Sequence, residues 1–245
     1  MLFRSLDTGD NALTTFDAKR CSRVRKLLDR HGLALGLHSS SAVNVAEYSP
    51  IVADAVTGYL KKYVDLVVKL GASWTEMHAG YHFTKDKAMR MAAGKARLEK
   101  IVAYAEKKGA LILLENLNKE PANAEVHYLA HTIEEWQYYW DIQSPNFKLS
   151  FTANHAHLVP EGIEGFVKAL NFKRVHEVRL ADCWRNGDEE HLAPGKGNLN
   201  FGKMFKLIEG AGFKGHYTNA FATLDAMLAA RALFVKKARA AGIKV

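Results

Sequence analysis

The sequence predicts an α/β protein whose parallel strands form a (β/α) barrel. Short apolar runs of strand length alternate with helical patterns along the chain, and polar side chains of the kind that bind metals or anions stand where these runs end. The alternation is typical of parallel βα units, which build either an open sheet or a closed barrel. The position of the polar side chains favours the barrel.

The predicted strands are short apolar runs at residues 33–38, 73–78, 110–115, 147–152 and 175–180, with a weaker run at 215–221. These six strands fall short of the eight that close a TIM barrel. MLFRSL at the start of the chain is a candidate for one further strand, but residues 1–15 are too few for a βαβ unit. We therefore expect a TIM (β/α) barrel that lacks an N-terminal βαβ unit and is either incomplete at its N-terminus or closed by another chain or a non-standard element.

The predicted helices lie between the strands, at residues 16–31, 50–70, 85–108, 132–141, 161–170, 201–211 and 223–240. In the helix at 50–70, apolar residues recur at steps of three and four and predict one buried face, formed by Val52, Val56, Leu60, Val64, Val67 and Val68. Glycines at 32, 71 and 109 follow helical segments, where a left-handed C-cap is favoured.

The length is compatible with one or two domains, and the composition has the ordinary balance of apolar and charged residues of a globular protein. No low-complexity linker or break in composition divides the chain, so we expect a single domain over residues 1–245. No apolar run approaches 18 residues, the N-terminus lacks the pattern of a signal peptide, and two cysteines do not indicate a disulfide framework. We therefore expect a cytoplasmic protein without a membrane partner. The net charge of +8 lies partly at 19–30 and 234–245, which are interpreted as helices with solvated basic faces.

Ligand-type side chains close five successive predicted strands. His38, His78 and Glu115 end the first three, Thr152 ends the fourth with His155 just beyond it, and Arg179 and Asp182 stand at the end of the fifth. Because the carboxyl ends of parallel strands meet at one mouth of a barrel, we expect these residues to form the functional site.

Five segments are more specific than this pattern: HSSSAVNVAEYSP at 38–50, HAG at 78–80, ENL at 115–117, NHAHL at 154–158 and DEEHLAPGKGNLNF at 188–201. On these segments the chain, from about residue 16 to 240, resembles the xylose-isomerase-like TIM-barrel superfamily. That superfamily contains sugar and sugar-phosphate isomerases and epimerases, some dehydratases, and the type IV apurinic endonucleases.

The resemblance implies two metal sites. In endonuclease-like members, one metal takes two histidines and a glutamate, which correspond here to His38, His78 and Glu115. Another metal takes a histidine and an Asp-x-His pair, which correspond here to His155, Glu189 and His191, with glutamate in place of aspartate.

The resemblance also implies a central metal site, bound by Glu, Asp, His and Glu, and this site is altered. Glu115 is retained, whereas the other positions hold Thr152, Arg179 and Ala220. Without a divalent cation, two further carboxylates beside Glu115 would repel each other and raise their pKa values. We therefore predict that the Arg179 guanidinium replaces the metal's charge and holds Glu115 ionised or clamps an anionic substrate. The alternative is a decayed site in which Arg179 only pairs with Glu115.

These residues predict an isomerase or a lyase such as a dehydratase, acting on a sugar or hydroxy-keto acid. Glu115 removes a proton next to a carbonyl, His155 acts as the acid, and Arg179, Arg185 or a bound metal stabilises the enediolate. Epimerases of the superfamily use two glutamates, and Ala220 in the second place favours chemistry with a single base. The residues predicted to bind substrate are Arg185, Asn116 and Asp182.

Two other functions are carried as alternatives: a non-catalytic ligand-binding barrel and an apurinic-site endonuclease. The altered central site argues against the endonuclease and against a nucleic-acid partner, because phosphodiester cleavage uses clustered cations. The expected partner is a small polar or anionic substrate. Whether the chain binds one divalent metal, zinc or manganese, or none is left open, as is a homodimer.

Overall fold

The computed structural model describes residues 2–7, 10–185 and 188–245, with side chains from residue 13 onward. It divides into two compact units. The first comprises Met1–Glu115, Glu125–Leu129 and Tyr139–Lys148, and the second comprises Asn116–Ala124, Ala130–Tyr138 and Leu149–Val245. The prediction of one domain over 1–245 stays a prediction.

Strands and helices alternate throughout the described chain. Up to residue 128 the elements are β1 (Leu2–Asp7), α1 (Asp10–Thr15), α2 (Ala18–His31), β2 (Leu33–His38), α3 (Pro50–Leu70), β3 (Trp74–Met77), β4 (Tyr81–His82), α4 (Lys87–Lys108), β5 (Ile112–Glu115) and β6 (His127–Tyr128). From there on they are α5 (Ile133–Trp140), β7 (Phe147–Thr152), α6 (Ala153–Leu158), α7 (Gly162–Ala169), a 3-10 turn (Phe172–Arg174), β8 (Val175–Leu180), α8 (Phe201–Gly210), β9 (His216–Asn219) and α9 (Leu224–Ala240).

In the first unit, β1, β2, β3 and β5 are neighbours in that order, and each neighbouring pair is parallel. β1 pairs with β2 along its whole length, from Leu2 opposite Leu33 to Asp7 opposite His38. The further strand predicted from MLFRSL is therefore present, although residue 1 lies outside the described part of the chain. The antiparallel pair of β4 and β6 was not predicted, because strands of two residues leave no sequence period.

In the second unit, β7, β8 and β9 are parallel neighbours. Arg179 lies opposite Thr152 on β7 and opposite Thr218 on β9. The predicted α/β class with parallel strands is confirmed. Among the described residues the parallel strands number seven, one fewer than the eight of a closed TIM barrel, because the segment before α2 supplies one strand.

Helix α3 has the predicted bounds but a narrower buried face. Val56, Leu60, Val64 and Val67 are buried, whereas Val52 and Val68 are about half exposed. Val52 lies in the first turn, and Val68 lies about 100° around the helix from Val67, at the edge of the stripe. The predicted C-cap glycines at 32, 71 and 109 all adopt positive φ values. No helix among the described residues is long and apolar enough to cross a membrane.

The loop after β2 is fixed by two buried arginines of α4. The Arg97 guanidinium donates hydrogen bonds to the carbonyls of Val45 and Glu47. Arg90 pairs with the carboxylates of Glu47 and Asp86. Burial would raise the pKa values of both carboxyl groups, but the contacts with Arg90 and with backbone N–H groups outweigh burial, and both pKa values are lowered. The segment that leaves the end of β2 is therefore rigidly supported by the first unit itself.

Gly36 allows β2 to pack against the indole of Trp74. A β-carbon at position 36 would lie 2.3 Å from Cε2 of the fully buried Trp74. We expect Gly36→Ala to lower the free energy of unfolding by about 2 kcal/mol, because overpacking forces the neighbours to shift. Urea denaturation followed by circular dichroism measures this change.

The matched control is Gly58→Ala in α3, where an added β-carbon meets no atom within 4 Å. This control should gain stability by about 0.5 kcal/mol, because alanine loses less backbone entropy in a helix. Equal effects of the two substitutions would contradict the packing argument.

Candidate functional site

The first cluster consists of His38, His78 and Glu115, and it forms at the carboxyl ends of three neighbouring strands of the first unit. His38 ends β2, Glu115 ends β5, and His78 follows β3 directly. All three side chains are nearly excluded from solvent, with exposed fractions of 7%, 11% and 3%. The structure thus brings together the three residues that the sequence singled out for this metal position.

Both imidazoles of the first cluster point at one oxygen of Glu115. Oε2 lies 3.2 Å from Nε2 of His38 and 3.1 Å from Nε2 of His78. Nδ1 of His38 lies 2.7 Å from the carbonyl oxygen of Ser39, which can only accept, so Nδ1 carries the hydrogen. In the neutral ring, Nε2 then presents a lone pair to the carboxylate. This arrangement requires a proton or a cation between the two atoms.

The second cluster consists of His155, Glu189 and His191 in the second unit. Oε1 of Glu189 lies 3.3 Å from Nε2 of His155 and 2.6 Å from Nε2 of His191, and the two Nε2 atoms are 3.3 Å apart. Nδ1 of His155 lies 2.8 Å from the carbonyl oxygen of Asn116, and Nδ1 of His191 bonds the carbonyl of Ala220. Both neutral rings therefore direct lone pairs at each other and at the carboxylate. When the rings are protonated, Nε2 of each donates to Glu189, and these hydrogen bonds from His155 and His191 hold the pKa of Glu189 well below its usual range, against the effect of burial.

His155 reaches this cluster from α6, a six-residue helix that the sequence did not predict. The helix starts directly after β7, and six residues are too few to show a helical period. Glu189 and His191 come from the loop between β8 and α8. The second cluster therefore depends on how that loop is held.

Both clusters fit a divalent transition metal. In each cluster one atom from each of the three residues lies within 4.8 Å of the others, and no other such group occurs among the described residues. Two imidazoles and a carboxylate are a common donor set for zinc and leave a position open for water or substrate. In three of the four histidines, Nδ1 bonds a backbone carbonyl, which fixes the tautomer that a metal at Nε2 requires.

Arg179 lies in the second unit, one residue before the end of β8. Its charge acts on Glu177, which lies two residues earlier on the same face of the strand and is completely buried. Burial alone would raise the pKa of Glu177, but a hydrogen bond from His216 and the charge of Arg179 lower it. Sequence reasoning missed Glu177 and His216. The available signal was the two-residue spacing of Glu177 and Arg179.

Asp182 holds the loop that carries Glu189 and His191. Its Oδ1 accepts hydrogen bonds from the backbone N–H groups of Cys183 and Leu199, each at 3.0 Å. Its Oδ2 accepts from the N–H of Gly195 at 2.7 Å. Three donors from one loop thus converge on one buried carboxylate, which gives Asp182 a structural role. Its predicted contact with substrate stays a prediction.

The other two predicted substrate-binding residues also make contacts within the second unit. Asn116 exchanges two hydrogen bonds with the backbone of Thr152, at 2.7 and 3.1 Å. Arg185 is exposed and donates from Nη2 to the carbonyl of Pro160 at 2.7 Å. Its guanidinium lies over Gly162, beside a groove of about 340 Å³ between α7 and α8. Substrate binding by these residues stays a prediction.

A family model described as "Xylose isomerase-like TIM barrel" matches residues 3–232. A search of curated proteins found no match.

Solved structures with the same fold include several sugar epimerases. A D-tagatose 3-epimerase-like protein superposes with a TM-score of 0.86 at 21% identity, over 98% of this chain and 89% of that one. D-psicose 3-epimerase from Clostridium cellulolyticum H10 superposes with a TM-score of 0.72 at 16% identity, over 97% and 86%. A 3-keto-D-glucoside 4-epimerase from E. coli gives 0.71 at 12% identity, over 90% and 84%.

The role of Asp182 can be tested by amide hydrogen exchange. We expect Asp182→Ala to speed exchange at the N–H groups of Cys183, Gly195 and Leu199, with a local loss of about 3 kcal/mol, because bonds to a buried carboxylate are lost. The control is Asp188→Ala, an exposed carboxylate in the same loop, which should leave these rates unchanged. Unchanged protection in Asp182→Ala would contradict the assigned role.

Proposed function

The chain belongs to the xylose isomerase-like TIM barrel family, and we propose that it is an isomerase or dehydratase that removes a proton next to a carbonyl of a small sugar or hydroxy-keto acid. The observation that carries this proposal is the convergence of His38 and His78 on the Glu115 carboxylate at the ends of three strands. In TIM-barrel enzymes, catalytic groups stand at the C-terminal ends of several strands.

Glu115 is the proposed base. Its side chain is 3% exposed, and one carboxylate oxygen faces two imidazoles, so the group is fixed and shielded from water. A carboxylate held in this way removes the proton from the carbon next to the substrate's carbonyl, and the electron pair moves to the carbonyl oxygen. The first cluster's histidines orient the carboxylate for this step.

The enediolate formed in this way needs positive charge, and we assign that role to Arg179. A guanidinium is always protonated and presents paired donors to an oxyanion. Thr152 and Ala220, at the positions where resembling enzymes carry carboxylates, add no negative charge that a central metal would have to balance. Arg179 thus takes over the electrostatic role of that metal.

We assign one divalent metal to each cluster. The first would be held by His38, His78 and Glu115. The second would be held by His155, Glu189 and His191. Bound there, such a metal would polarise an oxygen of the substrate. When the second cluster is metal-free, we assign His155 as the acid of the reaction in its doubly protonated form, because only that form carries a hydrogen on Nε2 while Nδ1 donates to the carbonyl of Asn116.

The similar structures suggest where to look for the substrate. They are named as epimerases, or as epimerase-like, for tagatose, psicose and a keto-glucoside, all of which are sugars. Ketoses are therefore the first class to test. This chain differs from a two-base epimerase in having Ala220 at the second base position, so we propose isomerisation or dehydration.

A second candidate is hydrolysis of a phosphodiester at an apurinic site. Formation of both metal-type clusters favours it, since these correspond to two of the metal positions of endonuclease-like members. Arg179 and Thr152 at the central position argue against it. Cleavage of an abasic duplex by the zinc-loaded protein would establish this candidate.

Proton abstraction can be detected without knowing the product. The protein is incubated in D₂O with a panel of ketoses and hydroxy-keto acids, and deuterium at the carbon next to the carbonyl is measured by NMR. We expect exchange with at least one compound and a loss of roughly 10³-fold in Glu115→Gln, because an amide cannot accept the proton. The control Glu99→Gln, an exposed carboxylate on α4, should exchange at the wild-type rate. Full exchange in Glu115→Gln would refute the assignment of the base.

Metal binding is tested by elemental analysis after dialysis against zinc. We expect two equivalents in the wild type and about one in His38→Ala or in Glu189→Gln, because each substitution removes one ligand of a three-ligand site. His157→Ala on α6 is the control and should keep both equivalents, since His157 bonds Asn198 instead. Arg179→His should add no third equivalent, because the two central carboxylates are still missing. Equal metal content in all variants would argue against both sites.

A further inference from the structure

We propose that Glu177, held by hydrogen bonds from His216 and Thr218, is a positioning residue that keeps the Arg179 guanidinium in place at the end of β8. The proposal deepens the proposed function, because it concerns the group assigned to stabilise the enediolate. It rests on the pairing of β8 with β9 inside the second unit, where Glu177 lies opposite His216 and Arg179 lies opposite Thr218.

The Glu177 carboxylate is fixed from the neighbouring strand. Its Oε2 accepts a hydrogen bond from Nε2 of His216 at 2.7 Å and another from Oγ1 of Thr218 at 3.0 Å. Both donors face the same side of β9, two residues apart. Two donors from one strand on one oxygen leave the carboxylate little freedom to rotate.

The second carboxylate oxygen of Glu177, Oε1, has a different environment from Oε2. Oε1 of Glu177 is buried and makes no hydrogen bond to any residue in the described parts of the chain. A buried anionic oxygen without a donor is costly unless a cation lies near it. After the hydrogen bond from His216, the charge of Arg179 is the next cause that lowers the pKa of this carboxyl group, so the guanidinium contributes to the balance. The attraction is mutual, and it restrains Arg179.

Glu177 acts through Arg179, because it cannot itself reach a substrate. Glu177 is completely buried, whereas Arg179 is partly exposed and lies nearer the end of the strand. An arginine side chain has many rotamers, and a fixed anion beside its stem selects among them. Electrostatic stabilisation of a developing charge depends on such preorganisation, so an unanchored guanidinium would lower kcat more than it raises KM.

The first test measures how fast Arg179 is modified by phenylglyoxal, with mass spectrometry of the individual peptides. In Glu177→Gln, which keeps shape but removes charge, we expect Arg179 to react at least about fivefold faster than in the wild type. The exposed Arg185 in the same protein should react at its wild-type rate. Thr218→Val removes one donor to Oε2 of Glu177 and should raise the reaction rate of Arg179 by a smaller factor. This variant serves as the test if Glu177→Gln does not fold.

The matched control is Glu209→Gln. Glu209 also accepts a hydrogen bond from β9, from the hydroxyl of Tyr217 at 2.9 Å, but Tyr217 alternates with His216 and Thr218 and faces the other side of the strand. This control should leave Arg179 reactivity unchanged. An unchanged rate at Arg179 in both Glu177→Gln and Thr218→Val, or an equal rise at every arginine, would overturn the proposal.

The second test uses the deuterium exchange reaction. With an exchanging substrate, Glu177→Gln should lower kcat by about 10- to 100-fold and change KM by less than about threefold. If the wild type exchanges no compound, the proposed function fails while the labelling still decides the role of Glu177. If exchange occurs but Glu177→Gln alters neither labelling nor kcat, this inference alone fails.

Discussion

The constraint on which the structure depends is the register of parallel strands. Because neighbouring strands run in the same direction, side chains near their carboxyl ends must lie along one edge. In the first unit this places His38 and Glu115 on either side of β3, close to His78. In the second unit the same constraint sets His216 opposite Glu177 and Thr218 opposite Arg179. Residues far apart in the chain thereby become chemical neighbours without any long loop.

Backbone carbonyls determine what the histidines can do. A carbonyl oxygen only accepts, so a histidine whose Nδ1 lies against one must present Nε2 as a lone pair when neutral. His38, His155 and His191 are all held in this way. Each then faces a carboxylate, an arrangement that favours a bound cation. The tautomer is thus set by the fold before any ligand arrives.

Buried charge is compensated differently in the two kinds of cluster. The two histidine-carboxylate clusters gather acceptors and are completed by a proton or a metal. Glu177 is compensated within the protein instead. One of its carboxylate oxygens accepts two hydrogen bonds and the charge of Arg179 acts on the group, so no external ion is needed. Asp182 follows the second pattern with backbone N–H groups, and by doing so it fixes the loop on which Glu189 and His191 depend.

The sequence by itself determined the alternation of strands and helices, with the bounds of β2, β7, β8 and α3 reproduced as predicted. It also determined which residue types stand at the strand ends, because local periodicity and strand length are properties of short segments. Only the tertiary structure decided the six-residue helix α6 and the side-chain partners, such as Arg185 with Pro160 and Glu177 with His216. These depend on register between segments distant in the chain, which no local pattern encodes.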